Sequence, residues 1–145
     1  MAWKKIICPI DFSPFAREAM QMAVSMAAES GAELVLAHVW QTPMLGGEMR
    51  FSMGLMQQMI NDGEKTLALW QADAERLGAR RVTSASLNGS PWNEIVEAIR
   101  NDPKIDLVVM GTHGRTGLKH VLLGSVAEKV VRHAECAVLV VRARD

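Results

Sequence analysis

Short apolar runs alternate with longer segments in which apolar residues recur every three or four positions, and the alternation continues along the whole chain. Strands are expected near 4–10, 33–40, 80–87, 105–110 and 137–142. The last two, Ile105 to Met110 and Ala137 to Arg142, are close to continuously apolar, which suits parallel strands covered on both faces. Four helices are expected between the strands. Ala16, Ala19, Met20, Ala23, Met26 and Ala27 form one stripe, and Leu67, Trp70, Ala74 and Leu77 form a second. Ser13-Pro14 and Ser90-Pro91 each place a capping serine before a first-turn proline, marking the starts of helices one and three. Gly31 and Gly78 stand as stops after helices one and two. Ser125-Val126-Ala127-Glu128 has the form of a capping box opening the fourth. A β-α-β-α-β-α-β-α-β order predicts an open, mostly parallel α/β sheet with right-handed crossovers. Ligands of such sheets bind beyond the strand C-termini, where strand order reverses.

The chemistry concentrates after the fourth strand. Val108-Val109-Met110 runs into Gly111-Thr112-His113-Gly114-Arg115-Thr116-Gly117, and Gly124-Ser125 then opens a helix. Glycines at a strand-to-helix turn let backbone N–H groups approach an anion closely, and the helix N-terminus adds favourable charge. Neither G-x-x-x-x-G-K-[ST] nor G-x-G-x-x-G occurs; the pattern is G-x2-G-x9-G-S. One reading has Gly111, Gly114, Gly124 and the Ser125 hydroxyl holding phosphates; the other makes Ser125 a helix cap and the glycines a turn. His113 and Arg115 lie inside the loop and are within reach of phosphate oxygens, Arg115 in bidentate fashion.

This loop resembles that of the universal stress proteins in their ATP-binding branch. The resemblance extends to Lys5-Ile6-Ile7-Cys8-Pro9-Ile10-Asp11-Phe12-Ser13, Leu36-Ala37-His38-Val39, Gly89-Ser90-Pro91 and Ala137-Val138-Leu139-Val140-Val141-Arg142. It implies a Rossmann-like fold of the adenine-nucleotide α-hydrolase type: a five-stranded parallel sheet in the order 3-2-1-4-5, helices on both faces. It also implies that Asp11 contacts the nucleoside, and that backbone near Pro9-Ile10 and Val39 flanks the base. Met110 and Val126, flanking the loop's glycines and Ser125, are counted with the nucleotide site. Gly89 either shapes the pocket wall or only permits a turn. Ala127 is a departure, since ATP-binding relatives often carry a hydroxyl there; one phosphate contact is expected to be missing.

Composition narrows the classes. The 145 residues are expected to form one domain, and 16 basic residues cancel 16 acidic ones. No basic excess exists to drive nucleic-acid binding. No signal peptide is read at the N-terminus, and no apolar run reaches the roughly 20 residues a membrane span needs. With Cys8 and Cys136 beside or inside buried strands and no C-x-x-C, reduced thiols in a cytoplasmic protein are expected. The histidines lack zinc-ligand spacing; magnesium or manganese would arrive on the nucleotide's phosphates.

Residues 44–59 hold five of the ten methionines, Met44, Met49, Met53, Met56 and Met59. The last four form a helical stripe whose default role is packing, with a lid or a partner contact as alternatives. The strand at 137–142 falls at a sheet edge if the family order holds, so a homodimer through antiparallel pairing is expected. Three functions stay open: a dimeric ATP-binding stress or signalling module, a slow ATPase, and an interaction protein with a vestigial pocket. His113, Asp11 and Arg115 are the available groups for hydrolysis, but no motif assigns them roles.

Overall fold

In the computed structural model, which describes residues 2–42, 53–113 and 123–142, strands and helices alternate throughout. The elements are β1 (Lys5–Pro9), α1 (Pro14–Ser30), β2 (Glu33–Trp40), α2 (Met53–Arg76), β3 (Arg81–Asn88), α3 (Pro91–Asn101), β4 (Ile105–Gly111), α4 (Ser125–His133) and β5 (Ala137–Val141). One sheet contains the strands in the order β3-β2-β1-β4-β5, every pairing parallel.

Alternation along the strands divides the core. Ile6, Cys8, Leu34, Leu36, Leu107 and Val109 face one side, where α1 and α2 cover them. Ile7, Ala37, Val108 and Met110 face the other, against Ile95 and Ile99 of α3 and Ala127 and Val130 of α4. Alanines at 16, 19, 23 and 27 let α1 lie close to the sheet. Helix α2 buries only Leu67, Trp70 and Ala74, all in its C-terminal half. Asp106 is the polar exception in β4. Its carboxylate accepts the backbone N–H groups of Lys4 and Lys5 at 3.0–3.2 Å, and the β1–β4 register shifts there.

Helix ends agree in part with the sequence. Ser13 Oγ accepts from the Ala16 N–H at 3.2 Å, as a cap should. Gly31 takes the left-handed conformation (φ 73°) and donates to the Ala27 carbonyl at 2.8 Å. Ser90 occupies the cap position of α3, but it is its carbonyl that closes the first turn, accepting from Glu94 N–H at 2.9 Å; the hydroxyl makes no cap bond. The capping box at 125–128 is corrected. Gly124 is the cap residue, its carbonyl accepting from the Glu128 N–H at 3.0 Å, and Ser125 is the first helical residue; the Gly124 N–H is held by the Thr112 carbonyl at 2.6 Å. Leu77 leaves the expected α2 stripe: the helix ends at Arg76, and Leu77 sits in the following turn, 54% exposed. Strand β5 is half-exposed along most of its length instead of covered on both faces, since only β4 flanks it.

Candidate functional site

Strands β1 and β4 are neighbours whose chains depart to opposite faces, β1 into α1 and β4 into α4, and their C-terminal ends splay into a crevice. A cavity of about 720 Å³ occupies it. Pro9, Ile10 and Asp11 come from the end of β1, Val39 from β2, and Met110, Gly111 and His113 from the end of β4; Gly124, Ser125 and Val126 come from the start of α4. Ten of the thirteen residues singled out in the sequence therefore converge on one cavity. Gly89 does not line it. That residue has φ 150°, its missing Cβ would run into the Glu94 carboxylate, and Pro91 and Ile95 form the nearby wall instead. Gly114 and Arg115 lie outside the described residues.

At the β4–α4 end the wall is made of backbone. A Cβ on Gly124 would stand 3.0 Å from the Thr112 carbonyl oxygen, and one on Gly111 would stand 3.2 Å from that of Phe15. Both glycines thus relieve a tight approach of the chain to itself, a reason separate from any ligand. The first-turn N–H groups of α4 have no acceptor within the helix. Ser125, Val126 and Ala127 all line the cavity, so the positive end of the helix is turned toward it. Because Ser125 is not the cap, its hydroxyl is not committed to closing the helix. Thr112, 4% exposed, is held on both sides: its N–H donates to Val141 of β5 at 3.1 Å, and its carbonyl accepts from Gly124. Its hydroxyl lies 3.0 Å from His113 Nδ1.

At the β1–β2 end side chains dominate. Asp11 Oδ1 accepts the Ser13 N–H at 3.0 Å, fixing the carboxylate at the mouth of α1. Phe12 then takes a left-handed turn (φ 65°), unusual for a bulky residue. Its ring lies 4.4 Å from that of His38 and meets Trp70 edge-on at 5.6 Å. Arg17 covers the other ring contact, 4.1 Å above Trp70, and pairs with Asp73 at 2.9 Å. His38 Nδ1 is 2.9 Å from the Ile10 carbonyl.

The outer wall belongs to α2, outside the thirteen residues singled out for the site. Met56, Met59, Ile60, Gly63 and Thr66 of α2 line the cavity, and with them Phe12, His38 and Trp40. The methionine stripe therefore departs from core packing: Met53 is 88% exposed, Met56 and Met59 face the cavity, and Met49 lies outside the described residues. The signal for His38 was present, as a polar residue near the C-terminal end of an apolar strand, on the ligand-binding side of the sheet.

Cys8 and Cys136 are both free. Burial pushes the Cys8 thiol up to about 12, which keeps it a neutral, packed group. Burial, then the Asp106 charge, raises Cys136 as well. Among the described residues no group of three His, Cys, Asp or Glu is placed to hold a metal, and no helix is long and apolar enough to cross a membrane.

An open parallel sheet in this order, with a glycine-bounded cavity at its switch point, defines a Rossmann-like α/β protein with a ligand crevice between β1 and β4. The chain belongs to the universal stress protein family, whose model matches residues 2–142. It is 39% identical to universal stress protein MJ0531 of Methanocaldococcus jannaschii, over 97% of this chain and 82% of that one. It superposes on the solved structure of MJ0577 from the same organism with a TM-score of 0.86 and 29% identity, covering 100% of this chain and 99% of the other. A universal stress protein solved in complex with cAMP matches with a TM-score of 0.76 and 25% identity, over 98% of both chains.

Proposed function

We propose that the chain, as one domain spanning 1–145, is an ATP-binding universal stress protein that works as a homodimer in the cytoplasm. Adenine nucleotide occupies the crevice with its phosphates at the β4–α4 end and its nucleoside toward β1 and β2. The observation that carries this reading is the convergence of ten sequence-singled residues on one cavity walled by the α4 N-terminus. The cAMP complex of a structural neighbour supports the ligand class.

In this arrangement Gly111, Gly124 and the amides of Ser125 and Val126 hold phosphate oxygens, joined by His113, Gly114 and Arg115. Asp11 accepts from the nucleoside, while Pro9, Ile10, Val39 and Met110 flank it. A magnesium or manganese ion travels on the phosphates. Strand β5, at the sheet edge, pairs with its counterpart in a second copy. Any hydrolysis is slow, and the protein acts as a nucleotide-dependent module for a protein partner. Ala127 is buried, lines the cavity and offers no hydroxyl, which favours modest affinity.

A thermal melt of nucleotide-free protein with magnesium-ATP, GTP and AMP tests the reading. ATP at 100 times its dissociation constant should add about 2.7 kcal/mol, several degrees for a domain of this size. No shift with any nucleotide would leave the interaction-protein alternative in its place.

A further inference from the structure

His38 ends in the cavity with one ring nitrogen already spoken for. Its Nδ1 is 2.9 Å from the Ile10 carbonyl oxygen, and a carbonyl only accepts, so Nδ1 carries the proton. The neutral ring then has its lone pair on Nε2. Stacking on Phe12, with ring centroids 4.4 Å apart, fixes the plane of the imidazole. Among the described residues no hydrogen bond reaches Nε2.

What faces that edge of the ring is Gly63, in the middle of the 24-residue helix α2. Glycine inside a helix is unfavourable relative to alanine. Packing does not demand it here. A Cβ built on Gly63 would meet His38 Cδ2 at 3.9 Å and Nε2 at 4.0 Å, ordinary contacts with no clash. Its effect is to leave open the approach to Nε2. Both residues line the cavity, together with Met59 and Ile60. An apolar wall with a few oriented polar groups is the usual construction of a selective small-molecule site, and His38 Nε2 is one such group beside Asp11.

We propose that His38 is a specificity-determining residue of the pocket, its Nε2 accepting a hydrogen bond from a donor on the nucleoside, and that Gly63 keeps that approach clear. The inference rests on the nucleotide reading above and adds the group that discriminates among nucleotides. A nucleoside has two sources for such a donor, the exocyclic amine of the base and the ribose hydroxyls. His38 belongs to β2, two strands away from β4 in the sheet, so it meets the nucleoside and not the phosphates.

Isothermal titration with ATP, inosine triphosphate, 2′-deoxy-ATP and 3′-deoxy-ATP tests this on wild type, His38→Asn, His38→Gln and Gly63→Ala. Asparagine can still donate to the Ile10 carbonyl but has nothing at the Nε2 position, whereas glutamine extends an acceptor toward it. The wild type should lose roughly tenfold in affinity for the analogue lacking the donor, inosine triphosphate if it is the amine and a deoxy form if it is a hydroxyl. His38→Asn should bind ATP roughly tenfold more weakly and no longer distinguish ATP from that analogue, with His38→Gln recovering part of the preference. Gly63→Ala should melt at or above the wild-type temperature without ligand, yet bind ATP more weakly. A merely structural glycine would not divide those two readouts. Wild type that binds all four nucleotides equally, or His38→Asn and Gly63→Ala that keep the wild-type preferences, would overturn the proposal and leave the nucleotide site standing. Wild type that binds none would overturn both.

Discussion

The two ends of the cavity are built from different material. At the β4–α4 end, peptide groups and glycines form the wall, and a Cβ on Gly111 or Gly124 would come within 3.0–3.2 Å of a backbone carbonyl oxygen. At the α2 end, a helix anchored only by its C-terminal half holds side chains over the opening. Backbone walls tolerate almost no substitution and suit a ligand part that never varies, such as phosphate. Side-chain walls can be exchanged residue by residue and suit the part that distinguishes one ligand from another.

That contrast can be broken at four points, taken from the largest expected effect down. Trp70→Ala removes the anchor that Phe12 and Arg17 share, and should cost about 3–5 kcal/mol of stability in urea unfolding. A cost below about 1 kcal/mol would mean that Trp70 is not the main anchor of α2. Gly124→Val should abolish nucleotide binding and lower stability by about 1–3 kcal/mol, because the new Cβ would stand 3.0 Å from the Thr112 carbonyl. Reading the loop from sequence alone leads one to expect lost binding in a protein that still folds; the backbone contact adds a modest stability cost to that expectation.

The third point lies beneath both walls, in β1. The Cys8 thiol is pushed up to about 12 from 9.0 in the folded protein, so on raising the pH the unfolded chain ionises first. The contribution of Cys8 to stability is therefore full below pH 9 and should fall by about 1.4 kcal/mol per pH unit above it until the folded thiol also titrates. Cys8→Ala should flatten that alkaline limb in urea titrations run at successive pH values. The smallest effect belongs to the α2 rim. Met59→Gln, on a half-exposed position, should change stability by less than about 0.5 kcal/mol while altering nucleotide preference.

The contrast also explains what could be read in advance. Two-faced apolar runs such as Leu107-Val108-Val109-Met110 declare buried parallel strands, and Ser13-Pro14 declares a helix start, because both signals are local. The strand order came from the family resemblance, which periodicity could not supply. The backbone end of the site was legible through its glycines. Which residue caps α4 was not, since Gly124 and Ser125 are both acceptable caps locally, and the bond that ties Gly124 to Thr112 is one no local pattern contains. The α2 wall was hidden for a similar reason. Met56 and Met59 repeat at helical spacing like core residues, and only the fold shows that the sheet beneath them gives way to a cavity.

Thr112 sits where these levels meet. Its N–H is tied to Val141 of the edge strand and its carbonyl to Gly124 at the start of α4. Between those two bonds lie only the φ and ψ of a single residue. A molecule seated against α4 and a neighbour laid along β5 would consequently contend for the same two torsions, so that news of one could reach the other without any larger rearrangement of the fold.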